Sequence, residues 1–297
     1  MLQQFPYVRG LQQRIHDFEK YSSFDPGHYY SPLVNTDEFL SFKRDEALED
    51  KKFPAIDFNE QKQHAVLQSF KPYYAELPFE DEQKNKGYRY YYNNDFFSYS
   101  DAIGLYCMMR KMKPANIIEI GSGFSSALLL DTNEQFFNSE INFTFIDPNT
   151  ERLRGLLRDD DRVTIIEKKI QETEPYIFSH LRAGDFLLID TSHVCKSGSD
   201  VNHIYLKILP LIASGVHIHI HDIFYPFEYP EKWIVEQKRS WNELYLLQGM
   251  LSYTKGFQIT YFNSFMELKY KDELETEMPL FLKRKKIVCG GIWLTKL

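Results

Sequence analysis

From residue 116 to the end of the chain, short apolar runs alternate with stretches of helical character. No other sequence feature limits the fold so strongly. The runs are Asn116–Ile120, Asn142–Ile146, Arg162–Ile166, Asp185–Ile189 and Val216–Ile220. Between them lie amphipathic or charged segments that read as helices: Phe124–Leu130, Glu151–Arg158, a piece near Pro175–Leu181, and Val201–Ile212; Asp101–Lys111 precedes the first run. Strands joined by helical crossovers form right-handed βαβ units and a parallel sheet. Two late runs, Phe257–Phe262 and Lys286–Leu294, read as a closing strand pair. The fold class is α/β, with a mostly parallel sheet and helices on its faces.

The chain has 297 residues, enough for one large domain or two modest ones, and 43% of them are hydrophobic, so it is globular rather than disordered. Residues 1–95 are more polar and aromatic, with a helix expected over Asn59–Phe70 ended by Pro72. They read as an N-terminal, mainly helical cap on a second domain of residues 96–297. A net charge of -7 argues against nucleic acid as the main partner, since phosphate binding needs a basic footprint. No apolar run approaches the ~18 residues of a membrane span, and the first residues lack the pattern of a signal peptide. Three cysteines, Cys107, Cys195 and Cys289, form neither a pair motif nor metal spacing, which suits the reducing cytoplasm.

In open α/β sheets a ligand binds beyond the carboxyl ends of the strands, where strand order reverses. The residues to watch are therefore Glu119–Ser126, Asp147-Pro148, Ile170-Gln171, Asp190–His193 and His221-Asp222. Gly121 and Gly123 permit a tight turn, and the helix from Phe124 offers free N–H groups. Asp147, at the end of the next strand, is placed to accept ribose hydroxyls of an adenosine cofactor. Both a nicotinamide dinucleotide and S-adenosylmethionine fit such a site. The dinucleotide fingerprint wants a glycine where Ser126 stands, and a negative Glu119 suits a sulfonium better than a pyrophosphate.

Glu119-Ile-Gly-Ser-Gly-Phe-Ser-Ser126 resembles the first motif of the class I S-adenosylmethionine-dependent methyltransferases. A bacterial subgroup of that family is matched more closely, by Asp25–Pro32, Phe97–Ala102, Ile189–His193, Gly198–Asn202, His219–Pro230 and Gly290–Leu294. The resemblance implies a Rossmann-like seven-stranded sheet with an antiparallel last strand. It also implies that the backbone of Gly121, Ser122 and Gly123 holds the methionine portion and Asp147 the ribose, with Glu119 among the cofactor-site residues. Ile170 and Gln171 would flank the adenine, Asp190 would face the methyl donor, and Tyr99 and Ser100 would close over the cofactor. Ser125 stands where the motif usually has its third glycine.

His217, His219 and His221 alternate and so share one face of a strand. All nine histidines lie at or before residue 221, which leaves a binuclear metallohydrolase without its downstream ligands. His217 and His219 read as hydrogen-bonded core residues. His221 and Asp222, with Asp190 and His193, are candidates to converge on an acceptor hydroxyl. Two roles are open: a metal-free general base centred on His221, which is favoured, or a divalent ion held by Asp190 and Asp222. The metal-dependent pattern wants a ligand next, and Ile223 cannot be one. Phe224–Trp241 reads either as an aromatic lid over substrate or as a packed loop. Lys207 and Lys283–Lys286 read as solvated. The expected activity is S-adenosylmethionine-dependent methyl transfer, to oxygen of a small molecule or glycan. The alternative is a non-catalytic module that keeps the cofactor fold for binding.

Overall fold

The computed structural model describes residues 6–45, 53–83, 87–283 and 289–297. Seven strands form one sheet in the order β3-β2-β1-β4-β5-β7-β6. They are β1 Asn116–Ile120, β2 Asn142–Ile146, β3 Val163–Ile166, β4 Phe186–Ile189, β5 His217–His221, β6 Phe257–Phe262 and β7 Gly291–Lys296. β7 runs antiparallel to both of its neighbours, β5 and β6, and the β1–β2, β2–β3, β1–β4 and β4–β5 pairs are parallel. This is the expected sheet, with its reversed last strand. The expected start of that strand at Lys286–Val288 lies outside the described residues, as do Arg284–Lys286 of the basic run.

Twelve α-helices are described: α1 Pro6–Tyr21, α2 Thr36–Asp45, α3 Glu60–Gln68, α4 Lys71–Tyr74, α5 Tyr99–Met112, α6 Phe124–Phe136, α7 Glu151–Leu156, α8 Asp200–His203, α9 Glu231–Val235, α10 Glu243–Tyr253, α11 Asn263–Lys269 and α12 Lys271–Glu277. α5 is buried from Tyr99 to Met109, as a helix apolar on nearly every side must be. The segment read as one helix over Val201–Ile212 is instead irregular. α8 passes into a π-turn over Ile204–Ile208 and a 3₁₀ turn over Leu209–Leu211, where Pro210 has no N–H to continue an α-ladder.

The chain divides into two compact units, and the division differs from the expected boundary at residue 95. One unit takes residues 1–51 and 230–240, the other 52–229 and 241–297. In the smaller unit α1 buries none of its described side chains, and Phe24, His28, Tyr29 and Tyr30 form a ring cluster around the Asp25-Pro-Gly turn. The backbone N–H of Val34 donates to Ser240 Oγ at 3.0 Å. The larger unit holds the whole sheet and, with it, residues 53–83 and 87–95.

Register sets the geometry of the sheet's carboxyl edge. Ile120 pairs with Ile146 and with Ile189, and Ile189 with Ile220. The four strands are therefore level at these isoleucines, and the next residues, Gly121, Asp147, Asp190 and the last residue of β5, His221, come out side by side. Beneath them Ile120, Ile146, Ile189 and Ile220 are all buried, each contributing about 1.5–3 kcal/mol by leaving water.

Candidate active site

β1 gives way to α6 through Gly121-Ser122-Gly123. Gly121 has φ +80°, and its Cα lies so near β4 that a Cβ would stand 2.3 Å from the carbonyl oxygen of Asp190. The turn is fastened from below: the N–H of Gly123 donates to Ser126 Oγ at 3.0 Å, and the Ser126 hydroxyl donates to Glu119. Ser126 thus replaces a packing glycine with a polar bolt. From the side, Asp147 Oδ2 accepts from the N–H and hydroxyl of Ser122 at 2.8 and 3.1 Å, and Oδ1 accepts from Asn149 N–H at 2.7 Å.

A cleft of about 430 Å³ opens over this turn, within the range of about 300–1,000 Å³ typical of small-molecule sites. Gly121, Ser122, Asp147, Ile170, Gln171 and Asp190 line it, all of them expected from the sequence. Ser192, from the Asp190–His193 stretch, also lines it, as do Arg152, Lys169 and Asp200, to which the sequence assigned no role. Asp200 receives the Ser192 N–H and hydroxyl at 2.7 and 2.6 Å, which fixes the loop after β4. The signal for Asp200 was present in the Gly198–Asn202 motif, and Arg152 lies in the turn of helix that follows Asp147. Gln171 Nε2 donates to Gly198 O at 2.9 Å, so its amide is already tied to the opposite wall.

Gly123, also expected at the cofactor, belongs to the turn but is not among the residues that line the cleft, and three more expected residues fall elsewhere. Tyr99 and Ser100, expected to close over the cofactor, are fully buried in the first turn of α5; the Tyr99 hydroxyl donates to Asp81 and Asn263 Nδ2 donates to the Ser100 carbonyl. Glu119 points below the turn, away from the cleft. Burial, partly offset by the Ser125 and Ser126 hydroxyls, pushes its carboxyl up to about 8, so at neutral pH it is mostly uncharged. The argument that its charge selects a sulfonium over a pyrophosphate therefore does not stand.

That displaced carboxyl makes a testable claim about stability. A carboxyl raised in the folded state stabilises below its unfolded value near 4.5, and that contribution is lost as pH rises through 8. Glu119→Gln copies the protonated form, so its stability relative to wild type should improve between pH 5 and pH 8 by on the order of 2 kcal/mol. Urea unfolding at the two pH values reads this directly, and parallel curves for the two proteins would refute it.

Beyond the cleft, the ends of β4 and β5 bring the four expected catalytic residues together. His193 Nε2 lies 3.3 Å from Asp190 Oδ1 and 3.5 Å from Asp222 Oδ2, and His221 Nε2 lies 3.6 Å from Asp222 Oδ1. His193 and Asp222 both adopt the left-handed conformation, φ 57° and 56°, which side chains other than glycine pay for only where the surroundings hold them. Burial would lower His193, but Asp190 and Glu243 outweigh it and carry the ring to about 10. Burial also opposes protonation of His221, yet Asp222, Asp190 and Asp101 raise it above its ordinary value. Asp190 is held below the usual carboxylate range: its desolvation is outweighed by the His193 hydrogen bond and the nearby histidines. Half of its side chain, 52%, is open.

Glu243, at the start of α10, has no signal in the sequence, because its partner His193 is 50 residues away; its Oε2 meets His193 Nδ1 at 2.9 Å. A small cavity under Asp190 is walled by Phe97, Glu119, Ser125, His219 and His221. His217 is hydrogen-bonded as expected, Nδ1 to Thr295 Oγ1 at 3.0 Å. His219 is not: both ring nitrogens are buried with no hydrogen-bond partner, and desolvation lowers the ring to about 3. It is kept by packing instead, against Trp293 and so close over Gly291 that a Cβ there would lie 2.5 Å from its Cε1. In the expected lid, Phe224, Phe227, Tyr229 and Trp233 are buried, which favours the packed-loop reading. Lys283 is paired with Asp81 at 2.6 Å rather than simply solvated.

Residues 118–223 match the family model described as a methyltransferase domain. An uncharacterized protein of Archaeoglobus fulgidus is 31% identical over 168 residues, covering 53% of this chain and 73% of its own length. The chain belongs to the class I S-adenosylmethionine-dependent methyltransferases. Among solved structures, the S-adenosylhomocysteine-bound Podospora anserina methyltransferase PaMTH1 is 12% identical, with 93% of this chain and 99% of that one covered and a TM-score of 0.42. The O-methyltransferase TomG of Streptomyces achromogenes is 11% identical, covering 89% and 99%, also at 0.42. Both likenesses are distant.

Proposed function

We propose that this methyltransferase acts on a hydroxyl oxygen of a small molecule or glycan, using His221 as general base and no divalent ion. The observation that carries the reading is the cluster of Asp190, His193, His221 and Asp222 beside the cleft, with Asp190 belonging to both. The cofactor, when bound, supplies a sulfonium methyl that is displaced in line, so the protein's work is to position two reactants. Gly121–Gly123 hold the methionine portion through backbone groups, Ile170 and Gln171 flank the adenine, and Asp190 faces the donor. Asp147 takes the ribose. A carboxylate offers about four acceptor positions and Ser122 and Asn149 use three, so the Ser122 hydroxyl turns away when both ribose hydroxyls bind.

Oxygen is favoured because a hydroxyl must lose its proton in the transfer, and an imidazole whose neighbouring carboxylates raise its basicity suits that task. The proton goes to His221, and Asp222 and Asp190 balance the charge it acquires. Independence from a metal is supported by His193, whose ring stands between the two carboxylates that would otherwise share a cation, and by Ile223, which is buried and apolar. A net charge of -7 speaks against a nucleic-acid acceptor. The three free cysteines suit the cytoplasm. No helix among the described residues is long and apolar enough to cross a membrane.

Two substitutions separate the roles. Asp147→Ala should weaken calorimetric binding of S-adenosylmethionine and S-adenosylhomocysteine by about 10–100-fold, the loss of one or two charged hydrogen bonds, with NADH as the non-binding control. Unchanged affinity would remove Asp147 from the ribose. His221→Ala should keep donor affinity and slow transfer of labelled methyl to hydroxyl acceptors by about 10²-fold or more. Full turnover in that variant, or turnover abolished by EDTA and restored by magnesium, would overturn the base mechanism.

A further inference from the structure

We propose that Glu243 is a positioning residue of the methyl-transfer site, acting through His193 to hold the Asp190–Asp222 pair in place. The inference rests on the reading of those carboxylates as part of the acceptor site. Glu243 is completely buried in the first turn of α10, where a carboxylate has no solvent to stabilise it. Its Oε2 meets His193 Nδ1 at 2.9 Å and accepts from the Thr191 hydroxyl. On the far side of the same ring, Nε2 faces Asp190 Oδ1 at 3.3 Å and Asp222 Oδ2 at 3.5 Å. An ionised carboxylate can only accept, so Glu243 takes a hydrogen from Nδ1, and the two carboxylates within ion-pair distance of Nε2 favour a ring that carries hydrogen on both nitrogens. The ring is thereby a fixed cation between one buried acid and two acids of the site.

The remaining contacts leave the ring no other orientation. The Trp241 ring lies over His193 at 4.3 Å between centroids, and the carbonyl of His193 accepts from the N–H groups of Asn242 and Glu243 at 2.9 and 3.2 Å. The left-handed backbone of His193 and the first turn of α10 are thus joined twice, once through main chain and once through the side chains. His221 shares Asp222 with His193, at 3.6 Å. A turn of the His193 ring would release Asp222 and so alter the partner of the base. That is how a residue with no access to substrate influences transfer.

The test uses the full chain labelled with ¹⁵N in its histidine rings. In wild type, His193 should show protons on both nitrogens at neutral pH, the Nδ1 proton shifted downfield by its carboxylate partner. Glu243→Gln preserves shape and can still accept one hydrogen bond, so a role in packing alone would leave these signals in place. We expect instead that the downfield Nδ1 signal is lost, because a side-chain amide is a far weaker partner than a carboxylate. Donor affinity should stay within about twofold of wild type, since Glu243 does not line the cleft. Wild-type spectra with a bare Nδ1, or a Gln variant whose His193 signals do not move, would overturn the proposal. If the variant fails to fold, the wild-type spectrum alone still decides. Failure of the methyl-transfer reading would register separately, as a wild-type protein that binds no S-adenosylmethionine while its His193 signals are as expected.

Discussion

Gly121→Ala should abolish measurable S-adenosylmethionine binding while leaving much of the fold in place. Two costs coincide at this residue. The backbone has φ +80°, a conformation that costs a residue with a Cβ about 1–2 kcal/mol. The new methyl would also sit 2.3 Å from the Asp190 carbonyl oxygen and 3.2 Å from the Asp190 Cβ. Neither neighbour is a flexible chain end. Asp190 N–H is bonded to Ile120 O at 2.8 Å and Gly121 N–H to Ile146 O at 3.0 Å, so both sides belong to the sheet ladder. Relief requires β1 and β4 to part at their carboxyl ends, and forced overpacking of this kind costs about 1–3 kcal/mol more. The parting moves Asp190 and the Ser122 N–H that Asp147 holds, which are walls of the same cleft. Affinity should fall by at least ~100-fold, as read by calorimetry on protein whose circular dichroism is native-like. Gly155→Ala in α7 is the matched control: a Cβ there meets nothing within 4 Å, so the change should be neutral or stabilising by about 0.4–1 kcal/mol. A Gly121→Ala protein that binds the donor as wild type does would show that the glycine turn is not part of the cofactor site.

The sheet was legible because each strand announced itself by a local rule. β1, β2 and β6 begin and end where their apolar runs do, β3, β4 and β5 shift by one residue, and β7 ends two residues beyond its run. Site residues attached to strand ends were legible for the same reason. Level strand ends place Gly121, Asp147, Asp190 and His221 together, whatever the loops do. What escaped was set by tertiary partners. Glu243 and Arg152 are ordinary first-turn acid and base on paper. Tyr99 and Ser100 were expected to close over the cofactor, and only the packing of α5 shows them to be interior. Glu119 looks charged until its burial is known. His219 looked like a core histidine with a partner, and its nearest neighbours proved to be a tryptophan ring and a glycine. The irregular stretch after α8 misled because Ile204–Ile212 has a helical composition while Pro210 breaks its ladder.

Arg89→Ala is the second large effect, and it links stability to the same glycine turn. The guanidinium is 3% exposed and meets three carboxylates: Asp131 at 2.7 Å, Asp161 at 2.6 Å and Glu134. Asp131, itself inaccessible, also takes the backbone N–H groups of Arg89 and Tyr90 at 2.7 and 2.8 Å. Asp131 and Glu134 are on α6, the helix that the glycine turn begins, and Arg158 extends the network by donating to Glu134 and to the Gly87 carbonyl. Removing the cation strands buried acids, so the expected loss is about 3–5 kcal/mol, far above that of a surface pair. Burial already raises the Asp131 carboxyl despite Arg89. Without the guanidinium it rises further, the folded state binds that proton more tightly, and stability is lost as pH climbs. The gap between wild type and variant should therefore be wider at pH 8 than at pH 5 in urea unfolding. Arg89→Lys should fall between them, because a single ammonium cannot serve three carboxylates in fork geometry. A loss below ~1 kcal/mol in Arg89→Ala would mean that water reaches these acids readily, and that α6 is held by its apolar face alone.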